Sequence, residues 1–154
     1  MKIIIPLEIQ KRIIPALIKA GEKEIGGILM GESLGNEEFR VMDVTIQTTG
    51  GTFITFIRSM SHAISALRKF FIETNKDYTR YNYLGEWHSH PSYPPNPSQK
   101  DIKSMLEIIS DASIGANFVT LMIIKLNKQQ SLEGTATSFF PNSHIVPSDI
   151  VFTK

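Results

Sequence analysis

Two spacings of apolar residues alternate along this chain. Ile3, Ile4 and Ile5 form a short run closed by Pro6, which predicts a strand over residues 2–5. From residue 7 to residue 20 the spacing lengthens. Ile9, Ile13, Ile14, Leu17 and Ile18 recur at helical intervals and predict a helix kinked at Pro15, with Gly21 suited to cap its end. Residues 24–30 read as a buried strand in which Gly26 and Gly27 let another backbone come close. Residues 39–46 alternate as a strand pairing with it, across a hairpin loop from residue 32 to residue 38. A break over residues 48–51 precedes a β-branched, aromatic strand at 52–57. Ser59 or Ser61 then caps a helix whose stripe of Ala63, Ile64, Leu67, Phe70 and Phe71 reads as core.

In the second half, residues 78–83 lead into an apolar, aromatic strand that ends at His88 and His90. Pro91, Pro94, Pro95 and Pro97 terminate that strand and stiffen the turn after it. Ser98 opens a run with helical spacing, Ile102, Met105, Leu106 and Ile109. Residues 118–126 are a strong apolar strand and 131–140 a weaker, final one. In the tail, 141–154, Ile150, Val151 and Phe152 suit an edge strand at most, and Pro147 gives no clear element. Strands and helices interleave without strict alternation, which predicts an α/β (α+β) protein with a mixed sheet and helices packed on its faces. The length of 154 residues, with no repeat or linker, predicts one domain over 1–154.

Composition narrows the chemistry. The net charge of +1, with no dense Lys/Arg block, implies no nucleic-acid partner. No segment reaches the roughly 18–20 apolar residues of a membrane span, and Glu8 interrupts an N-terminal run already too short for a signal peptide, so a cytoplasmic location is expected. With no cysteine, there can be no disulfide and no thiolate ligand. A metal site would have to come from Asp, Glu and the four histidines, His62, His88, His90 and His144.

His88 and His90 lie two apart on a strand and therefore share a face, roughly 6.5–7 Å apart at their Cα atoms. The Ser98-x-x-Asp101 step places the Asp101 carboxylate in a first helical turn. Two imidazoles and a carboxylate make a three-ligand set suited to catalytic zinc, whose fourth position stays open for water. Each piece alone has a plainer reading. His-x-His also describes two ordinary strand residues, and Ser98-x-x-Asp101 a capping box. Glu86 shares the His88 face and reads as an outer partner, a spare ligand or simply an exposed residue. Trp87 points the other way, into the core. His62 reads as a surface residue, and nothing recommends His144 as a ligand.

Taken together, His88-x-His90, seven residues, then Ser98-x-x-Asp101 fill every position of the JAMM motif, and the chain resembles the MPN/JAB family of zinc metallopeptidases. The family also has a glutamate just before a glycine-rich strand, and Glu24-Ile25-Gly26-Gly27-Ile28-Leu29-Met30-Gly31 is similar to the form in its small prokaryotic members. Glu24 lies 64 residues before His88, so spacing alone cannot choose between it and its neighbours Glu22 and Glu32; the matching glycines favour Glu24.

The resemblance implies a curved central mixed sheet flanked by helices, in a cytidine-deaminase-like layout. It implies one zinc ion held by His88, His90 and Asp101, Glu24 as general base and acid, and Ser98 as an oxyanion donor. The reaction implied is hydrolysis of the amide or isopeptide bond after the C-terminal glycine of a ubiquitin-like protein, as deconjugation or precursor processing. E1- and E2-like enzymes and an antiphage operon are the partners and setting it suggests. Processing of a sulfur-carrier protein, a non-catalytic MPN scaffold and a RadC-like protein are the alternatives. Residues 49–53 could hold an extended substrate tail by strand addition, although a turn is the simpler reading.

Overall fold

The computed structural model describes residues 1–48, 60–112 and 114–154. The expected strand at 52–57, the Ser59 cap and the turn at 49–53 lie outside the described residues. Among the described residues, seven strands make one mixed sheet: β1 (Lys2–Ile5), β2 (Gly26–Gly35), β3 (Glu38–Val44), β4 (Tyr81–Ser89), β5 (Val119–Leu126), β6 (Leu132–Phe140) and β7 (His144–Phe152). Three α-helices among the described residues complete it: α1 (Leu7–Ala20), α2 (Met60–Glu73) and α3 (Gln99–Ser110).

The sheet curves until it closes, in the order β1-β3-β2-β4-β5-β6-β7. β1 completes the ring by pairing parallel to both β3 and β7. The tail is therefore a full strand rather than an edge. β7 runs antiparallel to β6 and parallel to β1, so 131–140 is not the last strand. Its residues are at most half-buried, and its sequence, with Pro147 in the middle, does not alternate apolar with polar.

Trp87, alternating with the histidine face, points into the main core with Ile3, Ile5, Ile13, Leu29 and Met122. Its indole N–H donates to the Thr45 carbonyl at 3.0 Å, so the one polar atom of a fully buried ring is satisfied. α1 lays Ile9, Ile13 and Leu17 on this core and leaves Pro15 on its exposed side. Gly21 caps it at φ 59°, donating to the Leu17 carbonyl. The opposite face of β5 carries Val119, Leu121 and Ile123, which pack with Met105 and Ile109 of α3.

Three other expectations change. The strand expected from residue 24 starts at Gly26, leaving Glu24 and Ile25 ahead of it. The loop expected at 32–38 shrinks to Asn36-Glu37, both at positive φ (49° and 58°), as a two-residue hairpin between twisted strands favours. Glu32, expected in that loop, is instead buried in β2 and paired with Arg40 and Arg80. The α2 stripe is only partly core: Phe70 is buried, while Ile64 is 43% exposed. No helix among the described residues is long and apolar enough to cross a membrane.

Candidate metal centre

β4 sits between β2 and β5, with His88 opposite Gly26 on one side and Ile123 on the other. The glycines of β2 are what allow this approach. A Cβ on Gly26 would lie 2.2 Å from the Trp87 carbonyl oxygen, and one on Gly27 would lie 1.8 Å from that of Thr45. His90 falls just past the strand end, its N–H donating to the Ile124 carbonyl at 3.0 Å. The two imidazoles meet, Nε2 to Nε2, at 3.1 Å.

α3 brings the third group. The Ser98 Oγ accepts the Asp101 N–H at 3.2 Å, and the Asp101 Oδ2 accepts the Ser98 N–H at 2.7 Å, a reciprocal capping box. The apolar contacts of Met105 and Ile109 fix the helix against the sheet, and Asp101, 4% exposed, lies with Oδ2 3.8 Å from His88 Nε2. The capping-box reading of Ser98-x-x-Asp101 holds, and the same geometry leaves the Asp101 carboxylate beside His88.

The donor atoms of His88, His90 and Asp101 all lie within 4.8 Å of one another. Ligands about 2.0–2.2 Å from a tetrahedral zinc ion stand roughly 3.3–3.6 Å apart, so this set of two nitrogens and one oxygen fits such an ion with small adjustment. The protonation states fit as well. His90 Nδ1 lies 2.9 Å from the Pro94 carbonyl, which can only accept, so the neutral tautomer that fits this contact has its proton on Nδ1 and its lone pair on Nε2. Burial pushes the His88 imidazole down to about 4, against the pull of the Asp101 carboxylate, so the ring is neutral at pH 7.

Glu24 and Ser98 line the same pocket of about 470 Å³ as the three clustered residues. The rivals of Glu24 are committed elsewhere: Glu22 accepts the Ser92 hydroxyl, and Glu32 is paired with two arginines. His62 is exposed, and His144 is exposed against the Phe140 ring, both apart from the cluster. Tyr93, Asn96 and Lys100 also line the pocket, and sequence reading did not single them out. Their position between the second histidine and Asp101 was the available signal.

Glu86 departs from expectation. It is 5% exposed, outside the cluster, and sits in a second cavity of about 740 Å³. This cleft is bounded by Leu67 and Phe71 of α2, Ile108 of α3, and Phe118. Burial raises the Glu86 carboxyl to about 7, partly offset by a hydrogen bond with Tyr83, and Oε2 has no partner among the described residues.

A curved mixed sheet carrying a His-His-Asp cluster at the end of one strand defines a JAB/MPN-type domain. Residues 6–136 match the family described as prokaryotic homologs of the JAB domain, and the chain belongs to that family. A "CD-NTase/cGAS isopeptidase" of Enterobacter hormaechei subsp. hoffmannii (strain UCI 50) is 30% identical over 102 residues, which cover 66% of this chain and 55% of that relative. The match thus spans about half of the relative's length. Among solved structures, protein DSY2949 from Desulfitobacterium hafniense superposes at a TM-score of 0.63, with 18% identity over 99% of this chain and 93% of its own. A protein from Salinibacter ruber (strain DSM 13855) gives 0.54, with 20% identity over 100% and 92%. At such identities these two show a shared fold.

Proposed function

We propose that this protein is a zinc-dependent isopeptidase that cleaves the amide bond after the C-terminal glycine of a ubiquitin-like protein, in deconjugation or precursor processing. The observation that carries the reading is the convergence of His88, His90 and Asp101 in a pocket also lined by Glu24 and Ser98. A family relative named as an isopeptidase supports it.

Zinc held by His88, His90 and Asp101 would supply Lewis acidity and, from water, a hydroxide at neutral pH. Glu24 takes the proton of the attacking water and returns it to the leaving amine, a role worth about 10²–10⁴-fold in rate. The Ser98 Oγ accepts the Asp101 N–H, which leaves its hydroxyl proton free to donate to the oxyanion developing on the substrate carbonyl. Loss of such a donor costs about 3–4 kcal/mol. An E1- and E2-like conjugation system, an antiphage setting and a cytoplasmic location belong to the same proposal.

The test uses zinc-loaded protein and a panel of ubiquitin-like proteins fused through their C-terminal glycine to a reporter. Cleavage after that glycine is expected, lost with a chelator and slowed about 10²–10⁴-fold with Glu24→Ala. Failure of metal-replete protein to cleave any fusion would overturn the reading in favour of a non-catalytic scaffold.

A further inference from the structure

The segment carrying Glu24 lies outside the strand ladders and yet is fastened at both ends. On its C-terminal side is Ser89, the residue between the two histidines, which is 1% exposed. Its Oγ accepts the Ile25 N–H at 2.9 Å, and its own N–H donates to the Ile25 carbonyl at 2.8 Å. Ile25 is itself 3% exposed, so both bonds are shielded from water. On the N-terminal side, the Ser92 hydroxyl donates to the Glu22 carboxylate. Both clamps come from the stretch that carries His88 and His90, one residue before and two residues after His90.

The sheet alone does not require these contacts. β4 already pairs with β2 from Gly26 onward, so its register is set without Ile25 and Glu22. What they add is a fixed distance between Glu24 and the histidines. A catalytic group displaced by about 1 Å can lose 10²-fold in rate, so such a constraint has chemical value. We propose that Ser89 and Ser92 are positioning residues that hold Glu24 in register with the metal-ligating histidines. The proposal rests on the reading of Glu24 as the proton carrier.

Its test combines amide hydrogen exchange with a double-mutant cycle on zinc-loaded protein. With Ser89→Ala, exchange at the Ile25 amide is expected to accelerate at least tenfold while exchange in β5 is unchanged. Zinc content should stay at the parent level and kcat on the glycine-ended fusion should fall ten- to a hundredfold, with KM little changed. Ser89→Thr, which keeps the hydroxyl, should restore both. Combined with Glu24→Ala, Ser89→Ala should cost nothing further, because the residue it positions is gone. Ser92→Ala, at an exposed loop position, serves where Ser89→Ala folds poorly, with a smaller loss of about threefold and the same absence of effect in the Glu24→Ala background.

Equal losses in the parent and Glu24→Ala backgrounds would show a merely structural role and overturn the proposal. So would faster Ile25 exchange with parent-like kcat. If Glu24→Ala itself turns over like the parent, the reading of Glu24 fails first and the positioning role falls with it. An Ile25 amide that exchanges unchanged in Ser89→Ala refutes the clamp alone and leaves Glu24's role standing.

Discussion

Asp101 and Ser98 hold each other: the Asp101 carboxylate accepts the Ser98 N–H at 2.7 Å while the Asp101 N–H donates to the Ser98 Oγ at 3.2 Å. The carboxylate that caps α3 is therefore the one presented to His88 and His90. Asp101→Ala should lose both roles, binding no zinc and costing the metal-free protein about 1 kcal/mol through the lost hydrogen bond from the Ser98 N–H. Asp101→Asn keeps an acceptor for the Ser98 N–H and should lose zinc with little change in metal-free stability. Thermal melts of stripped protein, read beside metal content, separate the two roles.

Glu24→Gln tests the proton carrier without altering the cluster. Zinc content and melting temperature should match the parent, with turnover down about 10²–10⁴-fold. A variant that also loses its zinc would assign Glu24 to ligation.

Glu86 gives a pH signature in metal-stripped protein. Its carboxyl rises from 4.5 to about 7 on folding because burial disfavours the charged form. The folded state thus binds this proton more tightly than the unfolded one. Its stabilisation is fully present below 4.5 and is lost as pH climbs through about 7. The gap corresponds to about 3 kcal/mol. Chemical denaturation at pH 5 and pH 8 should show the parent losing stability over that interval and Glu86→Gln losing markedly less.

β7 closes the ring, so its removal should be felt throughout. Truncation after Ser143 would leave β1 and β6 each with an unpaired edge, and such edges invite association. Expected are loss of the cooperative thermal transition and aggregation during purification; a monomeric, cooperatively melting product would contradict the closed sheet.

The candidate centre was legible in the sequence because the three residues that cluster there sit on local geometry. His88 and His90 are two apart on a strand, and Asp101 is three residues into a helix that Ser98 announces. β5 was legible as a nearly continuous apolar run in the middle of the sheet, and β4 as the aromatic run that leads to the histidines. β7 was not, since its sequence, His144-Ile145-Val146-Pro147-Ser148-Asp149-Ile150-Val151-Phe152, does not alternate apolar with polar residues even though their exposure does. Glu86 was misjudged because a strand period assigns a face without saying what covers it, and here α2 and α3 stand over that face. The clamp around Glu24 was invisible for the same reason. Ser89 and Ile25 are 64 residues apart, and only the pairing of β2 with β4 brings them together.

The most direct test of the account is the metal content of purified protein by elemental mass spectrometry after zinc is supplied. One zinc per chain is expected in the parent and in Glu24→Ala, with little or none in His88→Ala or Asp101→Ala. A parent chain that takes up no zinc under those conditions would contradict the catalytic reading and leave a JAB-family binding scaffold in its place.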